Sequence, residues 1–287
     1  MKNLIFSCTL VILSGFSCLC SAAEETQITK RDSVLIDGVE RLPQAYKNAE
    51  WKKNEPIQMI EGPYSVRDFS SLTESGWWEA LQLASIVKND DLHDLNNKQA
   101  MRINFPTGML GGGAPVSTGY DKFSAKEIYL CFNFSVSSNW QNHSTGTNKM
   151  FFITSNGFGG GGDPMFLVYD SDYDPPQIKV HHQGPGLTNW HDLSPNLVEV
   201  GIPHGQRAMV ELYLKMNTIG VEPPDGEAHL WVNGTKTTQY SNIEWVTSGD
   251  AKWDSVRWEP TWGGSGGTVL NEMYQEITRL YFSHSAE

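Results

Sequence analysis

Two neighbouring segments of the chain combine an apolar side with a side of charged, aromatic and hydroxyl-bearing residues. They cover residues 207–217 and 227–234, and the turn residues Asp225-Gly226 precede the second segment. Because successive side chains of a β-strand point to opposite faces, each segment has one face for a core and one face for chemistry. The chemical face carries Glu211, Tyr213, Lys215, His229 and Trp231.

This mixture of side chains suits a carbohydrate ligand. Aromatic rings pack against the apolar CH faces of sugars, and Glu, Lys and His bond the hydroxyl or carboxyl groups. A sheet face that only meets solvent is richer in Lys, Glu, Ser and Thr. The pattern therefore favours a glycan-binding face, and the alternative is an ordinary solvated face that happens to hold aromatic residues.

Other segments show the same alternation and add further polar positions. If their strands share one sheet with the first two segments, the polar sides merge into one basic and aromatic strip. Both sheets of a sandwich have a polar outer face, however, so the sequence leaves open which strands belong together. The positions added are Arg102, Asn104, Tyr129, Asn133, Lys149, Lys179, His181 and Gln183.

Short strand-like segments separated by Gly, Pro, Asn and Asp fill the chain from about residue 100 onward. No stretch of ten or more residues there has helical periodicity, so we predict an all-β fold, either a sandwich or a barrel. Residues 76–99 fit either a helix or a strand, and we favour strand. Glycine runs at 111–113, 159–162 and 263–267 predict flexible loops at the rim of a groove. The predicted strands are 100–105, 127–136, 149–154, 164–169, 177–182, 207–216, 227–233 and 277–283.

The first residues have the pattern of an export signal. Lys2 precedes an apolar run at 4–19 that is too short to span a membrane comfortably, and small residues at 21–23 precede Glu24. Three of the four cysteines lie in this segment, so Cys131 is alone and the fold has no internal disulfide to rely on. We therefore expect a signal peptide at 1–23, an N-terminal wrapping segment at 24–75 and one β-jelly-roll domain at 76–287.

The formal net charge of the chain is −12 at pH 7. Nucleic-acid binding needs a dense basic surface, so this charge argues against a nucleic-acid partner. Against such an acidic background, a local group of Lys, Arg and His is more informative. We expect a secreted or periplasmic bacterial monomer whose partner is a polysaccharide.

Four blocks of the sequence, in order along the chain, carry a family resemblance. They are residues 100–108, 137–152, 211–234 and 260–264. They resemble the exported concanavalin A-like β-jelly-roll proteins related to polysaccharide lyases of the alginate and glucuronan lyase type, over about residues 76–285. The Glu-x-Asp-x-x-Glu strand of glycosidases on this fold does not occur here, and neither does the Tyr-x-Tyr pair or the Gln-Ile-His strand of related alginate lyases. The nearest segment to the last is 179–183, which reverses the order of Gln and His.

The resemblance implies a jelly-roll β-sandwich of two antiparallel sheets. It also implies a lyase that cleaves an acidic, uronate-containing glycan by β-elimination. Such a reaction needs a group that neutralises the carboxylate, a base for the C5 proton and an acid for the leaving oxygen. Arg102, Gln183 or Lys149 could neutralise the carboxylate. His181 could be the base, although a structural or surface histidine is the alternative, and Tyr213 could be the acid. For Glu211 the alternatives are an acceptor for sugar hydroxyls and a salt-bridge partner of Arg207.

Two other interpretations also fit the sequence. The protein could be a non-catalytic carbohydrate-binding module or surface lectin, or a glycoside hydrolase whose carboxylates come together from distant strands. No cofactor is expected apart from possible calcium at Asp170, Asp172 and Asp174, whose alternation resembles the start of a calcium loop. A solvated acidic turn is the alternative there, and the histidines lack the spacing of a zinc site.

We predict that the exported protein begins near Glu24 and carries no lipid. The residues before Cys18 and Cys20 fit a lipid-attachment pattern poorly, whereas residues 21–23 suit signal cleavage. Mass spectrometry of the exported protein measures both properties, and a diacylglycerol on either cysteine would contradict the prediction.

Overall fold

The computed structural model describes residues 99–121, 123–155, 165–182 and 191–286. It also describes shorter pieces nearer the N-terminus, at 34–36, 39–41, 54–56, 59, 64–67, 78–80 and 83–88. All of these residues belong to one compact unit, Asp32–Glu287. Among them, no helix has the length and apolar character needed to cross a membrane.

The regular structure of the described residues consists of antiparallel β-strands. In the N-terminal part these are β1 Val34–Ile36, β2 Val39–Arg41, β3 Tyr64–Arg67, β4 Trp78–Ala80, β5 Ala84–Lys88, β6 Gln99–Phe105, β7 Ser117–Tyr120 and β8 Glu127–Val136. The remaining strands are β9 Thr147–Ser155, β10 Met165–Asp170, β11 Gln177–His182, β12 His191–Leu193, β13 Arg207–Lys215, β14 Gly226–Val232, β15 Thr235–Ile243, β16 Trp253–Trp262 and β17 Met273–His284.

Two large sheets pack face to face, and β1 and β2 form a separate hairpin. The seven-stranded sheet has the order β12-β11-β10-β9-β16-β7-β4, and the eight-stranded sheet has the order β15-β14-β13-β8-β17-β6-β5, with β3 also paired to β17. The chain passes from the eight-stranded to the seven-stranded sheet between β8 and β9, and back between β12 and β13. This two-sheet antiparallel arrangement confirms the predicted β-sandwich.

The core lies between the two sheets and is formed by their apolar inner faces. The ring of Phe132 on β8 meets that of Phe151 on β9 with centroids 4.9 Å apart, and Phe134 meets Tyr169 at 5.3 Å. Val210, Leu212, Leu214 and Met216 belong to the same core, as the alternation predicts. The polar positions between them consequently face outward, away from the opposite sheet.

The glycine runs at 111–113 and 263–267 are packed against each other and against a buried histidine. A Cβ atom on Gly263 would lie 1.9 Å from Cγ of His143, and Gly263 has a φ of +67°. His143 Nε2 lies 2.8 Å from the carbonyl oxygen of Gly266. Close backbone approach therefore explains Gly111 and Gly263, and both runs form loops, as predicted. The third run, 159–162, lies outside the described residues.

We predict that Leu212→Ala lowers the free energy of unfolding by about 2–5 kcal/mol, because it leaves a cavity in a closely packed core. Leu212 has no exposed surface, whereas Leu270 is 68% exposed. The matched change Leu270→Ala should alter stability by less than about 0.5 kcal/mol. Urea unfolding of both variants tests this, and equal effects would contradict the assignment of Leu212 to the core.

Candidate functional site

The sandwich divides the predicted polar residues between two opposite outer faces. Lys149, Lys179 and His181 lie on β9 and β11 of the seven-stranded sheet, whereas Tyr213 lies on β13 of the eight-stranded sheet. The condition for one merged strip, that these strands share one sheet, is therefore not met. Because the core separates the two faces, His181 and Tyr213 cannot act together on one glycosidic bond. Gln183 lies outside the described residues.

On the seven-stranded sheet, His181 is held by an aspartate on the neighbouring strand. Strand pairing places His181 opposite Asp192 on β12, and His181 Nδ1 lies 2.5 Å from Asp192 Oδ1. With its proton on Nδ1, the neutral imidazole has its lone pair on Nε2, the nitrogen that can accept a proton. An oriented His–Asp pair of this type is suited to general-base chemistry.

Lys179 lies between two carboxylates, that of Asp192, which pairs with His181, and that of the buried Asp170. Its ammonium group donates to Asp192 Oδ2 at 2.7 Å and also pairs with Asp170. Burial by itself lowers the pKa of Lys179, but the hydrogen bonds to these two carboxylates outweigh burial and raise the pKa above its ordinary value. Lys179 therefore stays charged, and its hydrogen bond to Asp192 fixes the position of the His–Asp pair.

The local environment favours the neutral form of His181. Burial is the main cause that lowers its pKa, and the charges of Lys179 and Lys149 lower it further, whereas Asp192 and Asp170 raise it in part. Desolvation disfavours the imidazolium cation, so the ring is neutral near pH 7 and able to take up a proton.

Two cations lie over a pair of phenylalanine rings beside this histidine. Phe152 and Phe166 pack edge to face with centroids 4.6 Å apart. Lys149 Nζ lies 5.0 Å from the centroid of Phe166, and Arg257 Cζ lies 5.6 Å from that of Phe152. Strand pairing sets Arg257, Phe152, Phe166, His181 and Asp192 in one row across the sheet.

Sequence reasoning missed four members of this row: Asp192, Arg257, Phe152 and Phe166. Asp192 lies in a strand of three residues, which is too short to show alternation. Arg257 lies on β16, where Pro260 and a register shift between Trp258 and Thr261 obscure the period of two. The alternation of β9 did identify the side chain of Lys149 as outward-facing. We use the name His181 row for Arg257, Phe152, Phe166, His181 and Asp192 together with Lys149 and Lys179.

The acidic turn after β10 is not gathered into a calcium site. Asp170 is only 1% exposed, pairs with Lys179 and accepts a hydrogen bond from the backbone N–H of Asp172 at 2.9 Å. Within the described ranges, no three His, Cys, Asp or Glu side chains are grouped so that they could hold a metal ion. The prediction of calcium at Asp170, Asp172 and Asp174 is therefore wrong for this arrangement, since Asp170 serves Lys179 instead.

The eight-stranded sheet carries an open cavity of about 440 Å³ on its outer face. Four of the predicted glycan-binding residues line it, as the alternation of β13 and β14 predicts. We call it the Trp231 cavity. Its lining consists of Asn54, Pro56, Glu127, Tyr213, Lys215, Glu227, His229 and Trp231.

Glu211 and Tyr129 lie below this cavity and have no exposed surface. Glu211 accepts hydrogen bonds from the Tyr129 hydroxyl at 2.5 Å and from the Asn54 amide at 2.8 Å. Burial, followed by the charges of Cys131 and Glu211, raises the pKa of Tyr129. The prediction that both residues contact a glycan is therefore wrong for this structure, because N-terminal residues lie over this part of the sheet. The alternative pairing of Glu211 with Arg207 is also wrong.

The remaining predicted residues of this sheet lie away from the cavity. Arg102 and Arg207 share the carboxylate of Glu276, with Arg102 Nε to Glu276 Oε1 at 2.9 Å and Arg207 Nη2 to Glu276 Oε2 at 2.8 Å. Asn104 is exposed and donates to the backbone carbonyl of Leu83 at 3.2 Å. Asn133 lies opposite Met209 on β13 and is half-buried. The structure does not bring these residues to either candidate site.

No protein-family model matches the chain, and no curated protein matches its sequence. Several solved structures are nevertheless similar in fold. The endo-β-1,4-glucuronan lyase of the fungus Trichoderma reesei is 16% identical with a TM-score of 0.55, over 73% of this chain and 92% of that one. Alginate lyase vAL-1 from Chlorella virus is 14% identical with a TM-score of 0.52, over 73% and 93% of the two chains. A variant of alginate lyase Aly36B in complex with an alginate trisaccharide is 19% identical with a TM-score of 0.50, over 66% and 82%.

At these low identities the likeness shows a shared fold. The chain has the β-sandwich of alginate and glucuronan lyases, which confirms the resemblance at the level of architecture. The reaction and the substrate must be argued from this chain's own residues, because one fold can carry unrelated functions.

We predict that His181 titrates below the ordinary histidine pKa of about 6.5. In Asp192→Asn its pKa should fall further, because the lost carboxylate stabilises the imidazolium form. NMR titration of the imidazole Cε1 proton measures both values. A pKa for His181 that rises in Asp192→Asn would contradict the paired arrangement.

Proposed function

We propose that the protein is a polysaccharide lyase that cleaves an acidic, uronate-containing glycan by β-elimination at the His181 row. The observation that carries this proposal is the oriented pair of His181 and Asp192, 2.5 Å apart, next to cationic side chains over aromatic rings. A proton acceptor beside carboxylate-binding cations is the combination that this reaction requires. The lyase-like fold supports the proposal, since sheet faces of such sandwiches offer room for an extended chain.

Each step of the elimination can be given to a residue of the row. Arg257 would bind the uronate carboxylate, which makes the C5 proton more acidic. His181 Nε2 is buried in this structure and would have to become accessible to take this proton. Asp192 would hold Nδ1 and stabilise the imidazolium that forms. The electron pair of the C5–H bond then forms the C4–C5 double bond, and the C4–O bond breaks.

Lys149 is the candidate acid for the leaving oxygen, in place of Tyr213. Its ammonium group lies over Phe166 on the strand next to His181's, whereas Tyr213 is on the other side of the core. A lysine ammonium has protons to donate, and its charge also attracts an acidic chain. Phe152 and Phe166 offer an apolar surface for the CH face of a sugar ring.

The cations of the row are placed to meet an anionic ligand, although the row has no net positive charge. Lys149, Lys179 and Arg257 carry three positive charges, and the carboxylates of Asp170, Asp192 and Glu259 balance them. Arg257 also has Glu259 within 3.7 Å, a long contact that a substrate carboxylate can replace. Export and action on an extracellular polysaccharide belong to the same proposal.

The direct test is ultraviolet absorbance in the band of the unsaturated uronate, with alginate, glucuronan and other acidic polysaccharides as substrates. We expect product from at least one of them, because the elimination creates a conjugated C4–C5 double bond. Binding of such a polymer without any product would contradict the lyase proposal and favour the non-catalytic carbohydrate-binding module.

We predict that His181→Ala lowers kcat by at least about 100-fold while the affinity for the glycan changes only a few-fold, since a base acts mainly on the transition state. His204→Ala is the matched control, because His204 lies outside the row and bonds Asn142 at 3.1 Å. An equal loss in both variants, or full activity of His181→Ala, would contradict the assignment of the base.

Arg257→Ala should weaken binding of the acidic polymer, and the loss should shrink as salt screens the charge. Affinity measured at low and high ionic strength tests this expectation. A loss that does not depend on salt would show that Arg257 has a structural role instead.

A further inference from the structure

We propose that the Trp231 cavity is a second carbohydrate-binding site, for neutral sugar residues, on the side of the sandwich opposite to the His181 row. It goes beyond the proposed lyase function and does not depend on it. A volume of about 440 Å³ lies in the range of small-molecule sites, and the cavity is open enough to admit the end or side of a glycan chain.

The charges around the cavity give no net attraction for a uronate. Among the described residues, its lining contains the carboxylates of Glu127 and Glu227 and the ammonium group of Lys215, and Lys236 Nζ lies 4.9 Å from the ring centroid of Trp231. Burial lowers the pKa of His229, and the charge of Lys236 lowers it further, so the ring is uncharged near pH 7. Two carboxylates and two ammonium groups balance, and this arrangement of acceptors and donors suits the hydroxyl groups of a neutral sugar.

The polar groups of the cavity are held in place before any ligand arrives. Glu127 Oε2 accepts a hydrogen bond from the Tyr213 hydroxyl at 2.8 Å, and Lys215 Nζ donates to Glu227 Oε1 at 3.1 Å. Glu227 Oε2 also lies 3.4 Å from His229 Nε2. Such pre-ordered acceptors and donors lower the entropic cost of binding.

An aromatic wall completes the features expected of a sugar site. The ring of Trp231 lies edge to face with His229 at 5.8 Å, and His229 lies 5.4 Å from Tyr213. These rings line the cavity together with Pro56, but Trp231 is only 7% exposed and Lys236 Nζ lies 4.9 Å from its ring centroid. The CH face of a pyranose can therefore pack against the exposed parts of these rings while carboxylates accept its hydroxyls. The cluster is more than a solvated sheet face, since its apolar and polar parts converge on one concavity.

Residues from the N-terminal part of the chain form one side of the cavity and pack beneath it. Asn54 both lines the cavity and donates to the buried Glu211 at 2.8 Å. Met59 packs with Tyr129, Cys131, Tyr213 and Trp231 in an apolar cluster beneath. The same contacts that hold Asn54 and Met59 on the sheet therefore also shape this cavity.

Calorimetry of the full chain with neutral hexasaccharides of glucose, mannose and galactose tests the proposal. We expect at least one to bind with a Kd below about 1 mM. Glu227→Gln should weaken that binding by about tenfold, through loss of a charged acceptor, without changing the melting temperature. Glu244→Gln, a change at an exposed glutamate that does not line the cavity, is the matched control and should leave the affinity unchanged.

Trp231→Ala should weaken the same binding at least tenfold, as expected for an aromatic anchor. If that variant unfolds because Trp231 also packs in the cluster below, Glu227→Gln decides the question alone. His181→Ala should bind the neutral hexasaccharide as the parent protein does, which separates this site from the proposed lyase site. The absence of binding for all three hexasaccharides, or binding that Glu227→Gln leaves unchanged, would overturn the proposal.

Discussion

The alternation of side chains along two packed sheets is the constraint on which the rest of the structure depends. Every strand of the sandwich must direct one apolar row into the shared core, as Phe132 and Phe151 do where the sheets meet. The other row must then face outward, and its residues are available for binding or catalysis. Two sheets therefore give two outer faces, and the core prevents any side chain on one face from assisting a side chain on the other.

The two outer faces of this protein differ in chemistry. The face of the seven-stranded sheet places Lys149 and Arg257 over phenylalanine rings beside an oriented histidine, which suits an acidic glycan and a proton transfer. The face of the eight-stranded sheet has Glu127 and Glu227 around a cavity, which suits neutral hydroxyls. A chain with these two faces could hold one glycan by a neutral part and process an acidic part elsewhere.

Buried carboxylates hold Asn54 and Glu55 on the eight-stranded sheet. Glu55 accepts hydrogen bonds from the Tyr281 hydroxyl at 2.7 Å and from the Ser283 hydroxyl at 2.6 Å. Glu211 accepts a hydrogen bond from the side-chain amide of Asn54. A buried carboxylate is costly unless it is hydrogen-bonded, so removal of any of these donors would loosen this segment and the wall of the cavity together.

The sequence predicts the strands with regular alternation well. The bounds of β8 and β11 agree with the predicted 127–136 and 177–182, because each has an uninterrupted apolar row. It misses β16, where Pro260 sits near a register shift. The sequence cannot assign strands to sheets, because the polar outer faces of the two sheets have similar patterns. The segment predicted to wrap the domain, 24–75, includes Asn54, which covers Glu211, but its sequence has no periodicity from which this contact could be predicted.

NMR chemical-shift mapping of the His181→Ala variant with an oligouronate measures where an acidic glycan binds, because the substrate remains uncleaved. If the glycan binds across β9, β10, β11 and β16 as proposed, the largest shifts will lie on the row from Arg257 to Asp192 and the Trp231 cavity will be unaffected. Shifts confined to β13 and β14 would contradict the proposal and place acidic-glycan binding on the opposite sheet.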